Sequence, residues 1–462
     1  MTRKITTRLS SLLLTWLLVL PASAEWKEKV LYSFQGGTKD GSVPVGGVVF
    51  DKAGNLYGAT TYTTSCATTF DCGTMYELSP PQQSGGPWVE TTLHVFQGHD
   101  HNDGGSPEGG VILDAAGNVY GTTAYGGGGP CMLFGTVVGC GAVYEMIAPT
   151  KPKEGWKEKI LYNFQGDKDG QFPNGDLVFD KSGNLYGATQ FGGGYGSCDA
   201  PYYKHCGTIF ELIAPKTKGG KWTEKVLYSF KSVSVGKQVG DGANPNGGLI
   251  LDSAGTFYGT TRWGGLTTND CAGGNGFVGC GAIFKLISPT REGGIWSEAV
   301  LYRFKGRPDG VGPNGGLVFD AKGRLYGTAV GGGRDSGDGT VFKLTPGKQW
   351  KEGLLHTFDV GRGQGGATPE AGLTVGSAGY LYGVASGGGT AGDGTVFWLR
   401  PTADGWEIAT LHTFTGAPDG ASPASKVVFD IAGNLYGTTQ QGGNTGQNCG
   451  NYGCGTVFAV LP

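Results

Sequence analysis

The chain has 462 residues, of which 91 are glycine and 22 proline, while only 16% are charged and the formal net charge is −3. Glycine at that level, against a typical ~7%, suggests collagen or disorder. It does not recur at every third position, however, and 38% apolar with 11% aromatic residues leaves enough side chain to build cores. A weakly acidic balance argues against nucleic acid as a partner, and the length favours a repeated core over a single one.

Residues 1–24 read as a secretory signal peptide. Arg3, Lys4 and Arg8 precede an apolar run from Leu12 to Leu20, and Pro21-Ala22-Ser23-Ala24 offers small residues for cleavage. The run is short for a membrane helix, the alternative reading. No second hydrophobic span follows, so the expected mature protein is 25–462, a monomer outside the cytoplasm with no membrane span.

The mature sequence is a sevenfold repeat. A leucine, valine or phenylalanine followed by Tyr-Gly recurs with its tyrosine at Tyr57, Tyr120, Tyr186, Tyr258, Tyr326, Tyr382 and Tyr436. The units are 26–78, 88–147, 156–213, 222–287, 296–344, 350–399 and 406–461. Each carries four segments rich in Val, Leu, Tyr, Phe and Thr: one opened by a tryptophan (Trp26 in the first), one like Gly315 to Asp320, one like Asn55 to Thr60, and one like Thr340 to Leu344. These predict strands. Between the second and third lies Asp-x-x-Gly, as in Asp51 to Gly54, a tight-turn signature that copy six breaks with Gly376.

Seven four-stranded antiparallel units with no amphipathic helix predict an all-β protein, a seven-bladed β-propeller forming one domain. A β-solenoid is the competing arrangement, but its coils are shorter. The Gly-Gly strand is expected innermost and the tryptophan strand outermost. Because the chain starts with an outer-type strand, that strand is predicted to join the last blade and close the ring.

Ten cysteines fall in local pairs, Cys66/Cys72, Cys131/Cys140, Cys198/Cys206, Cys271/Cys280 and Cys449/Cys454, each in the long loop between third and fourth strands. Copies five and six lack both the pair and the long loop. Five disulfides in an oxidising compartment follow; zinc, with His205 beside Cys206, is the alternative.

Two sets of residues stand out as candidate sites on the face carrying those loops. Asp40, Asp103, Asp169, Asp241, Asp309 and Asp419 each begin Asp-Gly-x-x-Pro before an innermost strand. They could ring the channel mouth and attract cations, or each could cap its own turn. The second set is Tyr62, Tyr125, Phe191 and Trp263, four residues beyond each Tyr-Gly glycine, where later copies have Gly331, Gly387 and Gln441. Aromatic rings on one side of the face suit stacking on sugars, while packing under the cystine loops is the plainer alternative. No nucleophile elbow, phosphate loop or zincin motif is present, and no cofactor or metal is expected.

The strings Gly315-Gly316-Leu317-Val318-Phe319-Asp320, Leu325-Tyr326-Gly327-Thr328 and Gly339-Thr340-Val341-Phe342-Lys343-Leu344 resemble the GloVer tandem-repeat family of bacterial secreted proteins, and equivalents cover nearly all of 26–462. A looser similarity to kelch repeats agrees with a propeller. The resemblance implies an extracytoplasmic location without an activity. Family members often carry a C-terminal sorting anchor that this chain lacks, which implies release into periplasm or medium. The expected function is non-catalytic binding of an extracellular carbohydrate or cell-envelope component. A polysaccharide lyase or glycosidase using the Asp residues is the enzyme alternative, and a protein–protein scaffold the third.

Overall fold

The computed structural model describes residues 26–64, 72–83, 85–151, 153–194, 198, 205–217, 219–232, 239–271, 278–291, 293–334, 337–360 and 365–462. The signal segment and Cys66 lie outside the described residues. What is described is a seven-bladed β-propeller of antiparallel four-stranded blades, counting an interrupted inner strand as one.

The phase of the repeat decides how blades are assembled. In the first blade Val49–Phe50 is innermost, followed outward by Leu56–Thr60, Gly73–Ser79 and Val89–Phe96. Three strands thus come from one repeat and the outermost from the next. In the seventh blade Lys27–Ser33 takes the outer place. It pairs antiparallel with Thr456–Leu461, Lys27 opposite Leu461 and Ser33 opposite Thr456. The first and last strands therefore hold the ring closed without a covalent bond.

One steric device recurs in all seven blades. The glycine after each repeat tyrosine lies under an aromatic ring from the adjacent strand of its own blade. A Cβ at Gly327 would stand 2.6 Å from the Phe342 ring, and at Gly58 2.4 Å from the Tyr76 hydroxyl. That ring in turn meets a phenylalanine arriving from the preceding blade. The seven pairs, from Phe34–Tyr76 to Phe414–Phe458, have centroids 5.0–5.3 Å apart in edge contact. These rings are fully buried. Each contributes about 1.5–3 kcal/mol by burial, and the edge geometry adds about 0.5–1.5 kcal/mol. The tryptophans seal the outside: Trp156 stands against Tyr57 and Trp406 against Tyr326 of the neighbouring blade.

The hairpins behave as their sequence requires. Asp51 Oδ1 accepts the amides of Ala53 and Asn55, at 2.8 and 2.9 Å, while Gly54 takes φ +89°. Its other oxygen accepts the Tyr57 hydroxyl at 3.3 Å. Five further copies repeat the tyrosine–aspartate bond at 3.0–3.2 Å. In copy six a Cβ at Gly376 would come within 2.6 Å of the Tyr382 ring, so no aspartate fits there without displacing it.

Candidate functional site

The loop leading into each inner strand is shaped by the residue before its proline. Val43, Ser106, Phe172, Asn244, Gly312, Thr368 and Ser422 all adopt left-handed conformations, with φ between +49° and +64°. Six are not glycine, so the backbone is held against its own preference. The holding bond is visible. Each of their amides donates, at 2.7–2.9 Å, to a carbonyl of the previous unit's loop: Cys454, Cys72, Cys140, Cys206, Cys280, Asp338 and Asp393. Five acceptors are the second cysteine of a pair, and in the short loops an aspartate replaces it. The cystine loop of one blade therefore clamps the channel rim of the next.

Beyond the proline the chain enters the central channel, about 300 Å³ in volume. Its lining includes Val45, Glu108, Asn174, Asn246, Asn314, Glu370 and Ala424, the seven residues that follow the prolines. Asn174 donates to Glu108 at 3.0 Å, Asn246 to Asn314 at 2.6 Å, and Gln190 to Asn246 at 2.8 Å. Burial pushes the Glu108 carboxyl up to about 7. Burial raises Glu370 too, against the opposing pull of Arg262.

Three of the four aromatic candidates meet at the edge of this ring. Tyr125, Phe191 and Trp263 line one groove of about 170 Å³, together with Glu108, Phe172, Gln190, Asn244 and Arg262. Phe191 is only 6% exposed and packs with Leu133, Val138 and Phe172 beside the Cys131–Cys140 loop. It is the floor of the groove. Tyr125 and Trp263 keep part of their rings exposed, and the Arg262 guanidinium lies 5.5 Å from the Trp263 ring centre. Tyr62 sits apart, in a depression with Gly37, Ser42 and Asn448, and burial raises its hydroxyl with a smaller push from Glu108.

The six aspartates are placed differently. None is among the residues lining the channel. Each accepts a bond from the outer strand that precedes its loop: from Tyr32 to Asp40 at 2.9 Å, Tyr162 to Asp169 at 2.8 Å, Tyr228 to Asp241 at 2.6 Å and Tyr302 to Asp309 at 2.8 Å. His94 and His412 take the tyrosine's place beside Asp103 and Asp419, at 3.0 and 3.1 Å. Backbone amides such as those of Gln35, Gln97 and Lys305 complete the turns.

A third member of these clusters was not anticipated from the sequence. Two residues after the tryptophan that opens six of the seven repeats stand Glu28, Glu90, Glu158, Glu224, Glu298 and Glu352, facing the Asp of the neighbouring blade. Burial, then the nearby aspartate, lifts Glu224 to about 8 and Glu28, Glu158, Glu298 and Glu352 to about 7. Glu90 also reaches about 7 by burial, with Thr92 opposing and Asp40 adding a smaller push. The recurring Trp-x-Glu was the available signal. Two clusters, Glu28/His412/Asp419 and His94/Asp103/Glu158, bring three ligand-type atoms within 4.8 Å of one another. Because four sister interfaces hold tyrosine instead of histidine, the arrangement belongs to the framework of the repeat.

Four disulfides are formed, Cys131–Cys140, Cys198–Cys206, Cys271–Cys280 and Cys449–Cys454. Cys72 is also disulfide-bonded, while its expected partner lies outside the described residues. Such pairing indicates an extracytoplasmic environment. No helix of the described residues is long and apolar enough to cross a membrane.

The family model for the Gloeobacter/Verrucomicrobia repeat matches residues 21–269, 130–375 and 335–462. No curated protein matches the chain. Among solved structures, a polysaccharide lyase of the ulvan lyase type aligns at 12% identity over 89% of this chain and 93% of its own, with a TM-score of 0.49. A phosphogluconolactonase-like protein from Bacteroides uniformis aligns at 13% identity over 79% and 83%, TM-score 0.45. A carbohydrate-active enzyme of family AA12 from Trichoderma reesei aligns at 12% over 95% and 96%, TM-score 0.40.

Proposed function

The chain belongs to the Gloeobacter/Verrucomicrobia repeat family, and for this member we propose a secreted, monomeric, non-catalytic binding propeller whose ligand is an extracellular carbohydrate, free or within the cell envelope. The observation that carries this reading is the groove shared by Tyr125, Phe191 and Trp263 at the rim of the channel. Partly exposed rings offer apolar faces to a sugar, and Gln190, Asn244 and Glu108 supply hydroxyl partners at the same place. Repeats five to seven have glycine or glutamine at the aromatic position, so the fold itself does not demand rings there.

The test is retention in polysaccharide-containing gels. The double variant Tyr125→Ala/Trp263→Ala should lose retention while its thermal unfolding stays close to that of the parent. Unchanged retention would count against the groove as the site.

A catalytic reading has one observation in its favour. Glu108, in the groove and lifted to about 7, has the proton affinity a general acid or base needs near neutral pH. Release of reducing ends by the parent, abolished in Glu108→Gln, would replace binding with turnover; no release leaves binding.

A further inference from the structure

Arg262 is the singular residue of the groove. At the same place in the repeat the other six copies have Thr61, Ala124, Gln190, Val330, Ser386 and Gln440, so neither strand pairing nor blade packing requires a cation there. Its guanidinium rests 5.5 Å from the Trp263 ring centre, a contact that restrains the plane of the charged group. Its Nε is buried and has no hydrogen-bond partner among the described residues. Glu370 feels its field, but the fork of donors is left unmatched on the side of Nε.

We infer that the groove takes an anionic sugar, with Arg262 pairing to a carboxylate or sulfate ester of an acidic polysaccharide while Trp263 and Tyr125 hold the ring. This rests on the carbohydrate-binding reading and narrows its ligand class. A guanidinium is always charged and its planar fork matches carboxylate and sulfate oxygens in pairs. Two carboxyls stand near it, and burial disfavours the charge of both: Glu108 is pushed up to about 7, and Glu370, which feels the guanidinium, is raised as well. At about 170 Å³ the groove is smaller than the roughly 300–1,000 Å³ of sites that engulf a whole small molecule. It suits one unit of a polymer lying across the face.

The experiment measures affinity of the secreted protein for dextran, dextran sulfate and polygalacturonate at pH 7 and fixed salt. At least one anionic polymer should bind about tenfold or more tighter than dextran. Arg262→Met should bring that polymer down to the dextran level, and Arg262→Lys should recover part of the difference. The two anionic arms distinguish sulfate from carboxylate, and thermal unfolding checks that each variant is folded. Equal affinity for dextran, or full anionic affinity in Arg262→Met, overturns the inference. If the anionic polymers bind through Trp263 no tighter than dextran and without any dependence on Arg262, carbohydrate binding stands and only the anionic class falls. If none of the three polymers binds, both readings fall.

Discussion

At the scale of single residues, most of the repeat's glycine makes sense only beside its neighbours. Gly327, in the strand Leu325–Ala329, has Phe342 above it, 2.6 Å from where a Cβ would be. Gly353, in the outer strand Lys351–Thr357 of the same blade, has only the Lys343 side chain at 3.9 Å. Two alanine substitutions of identical chemistry should therefore part. Gly327→Ala should lower stability by about 1–3 kcal/mol by overpacking. Gly353→Ala should be neutral or stabilising, because a strand glycine is entropically costly. Chemical denaturation of both variants checks this, and equal losses would refute the steric account. The Tyr-Gly string was plain in the sequence, but its reason was not, since the ring it accommodates lies on the next strand. The same holds for the aspartates before the prolines. Their type and repetition were legible, whereas the outward direction of their side chains depends on tyrosines and histidines of the preceding strand.

At the scale of elements, two devices join what the chain leaves separate. The first is the closing strand Lys27–Ser33, whose place followed from the phase of the repeat alone. Removing residues 25–35 deletes that strand and Phe34, a fully buried ring against Tyr76. It also uncovers the edge of Thr456–Leu461. The melting temperature should fall far more than on clipping an exposed tail, and the protein should aggregate through the open edge; an unchanged melting temperature would exclude the clasp. The second device is the cystine loop. Its cysteine pairs were readable as spacing, but the carbonyl that clamps the following blade's loop was not, because backbone direction leaves no mark in composition. Cys131→Ser/Cys140→Ser should cost about 2.5 kcal/mol by loop entropy. It should also weaken polysaccharide retention, since Leu133 and Val138 pack against Phe191, the floor of the groove. Loss of stability with full retention would separate the loop from the site.

At the scale of the whole molecule, the inter-blade clusters act as a distributed response to pH. Six interfaces hold an Asp and a Glu from adjacent blades. The exception is the interface of His356, where Gly365 replaces the Asp and Ile408 the Glu, with Ile408 filling the space a side chain at Gly365 would need. The two carboxyls thus appear or vanish together. Glu224 shows the sign most simply. It faces Asp169 and the Tyr162 hydroxyl, and burial raises it to about 8. Unfolded, a glutamate titrates near ~4.3. Below that pH both states bind the proton and the contribution is complete. As the pH rises the unfolded chain releases the proton first, so folding grows less favourable until the folded carboxyl also ionises near 8. Five further glutamates at about 7 add in the same direction. Asp419 and Asp430 work oppositely. Burial tends to raise each, but His412 and backbone amides hold Asp419, and Asn434 holds Asp430, below the usual range, so their stabilisation fades only in strong acid. The melting temperature should therefore peak in mild acid and decline from pH 5 to 8. Glu224→Gln, which keeps the shape without the ionisation, should flatten that decline. A profile that rises through neutral pH, or a slope unchanged in Glu224→Gln, would show that the buried glutamates do not set the pH dependence of stability.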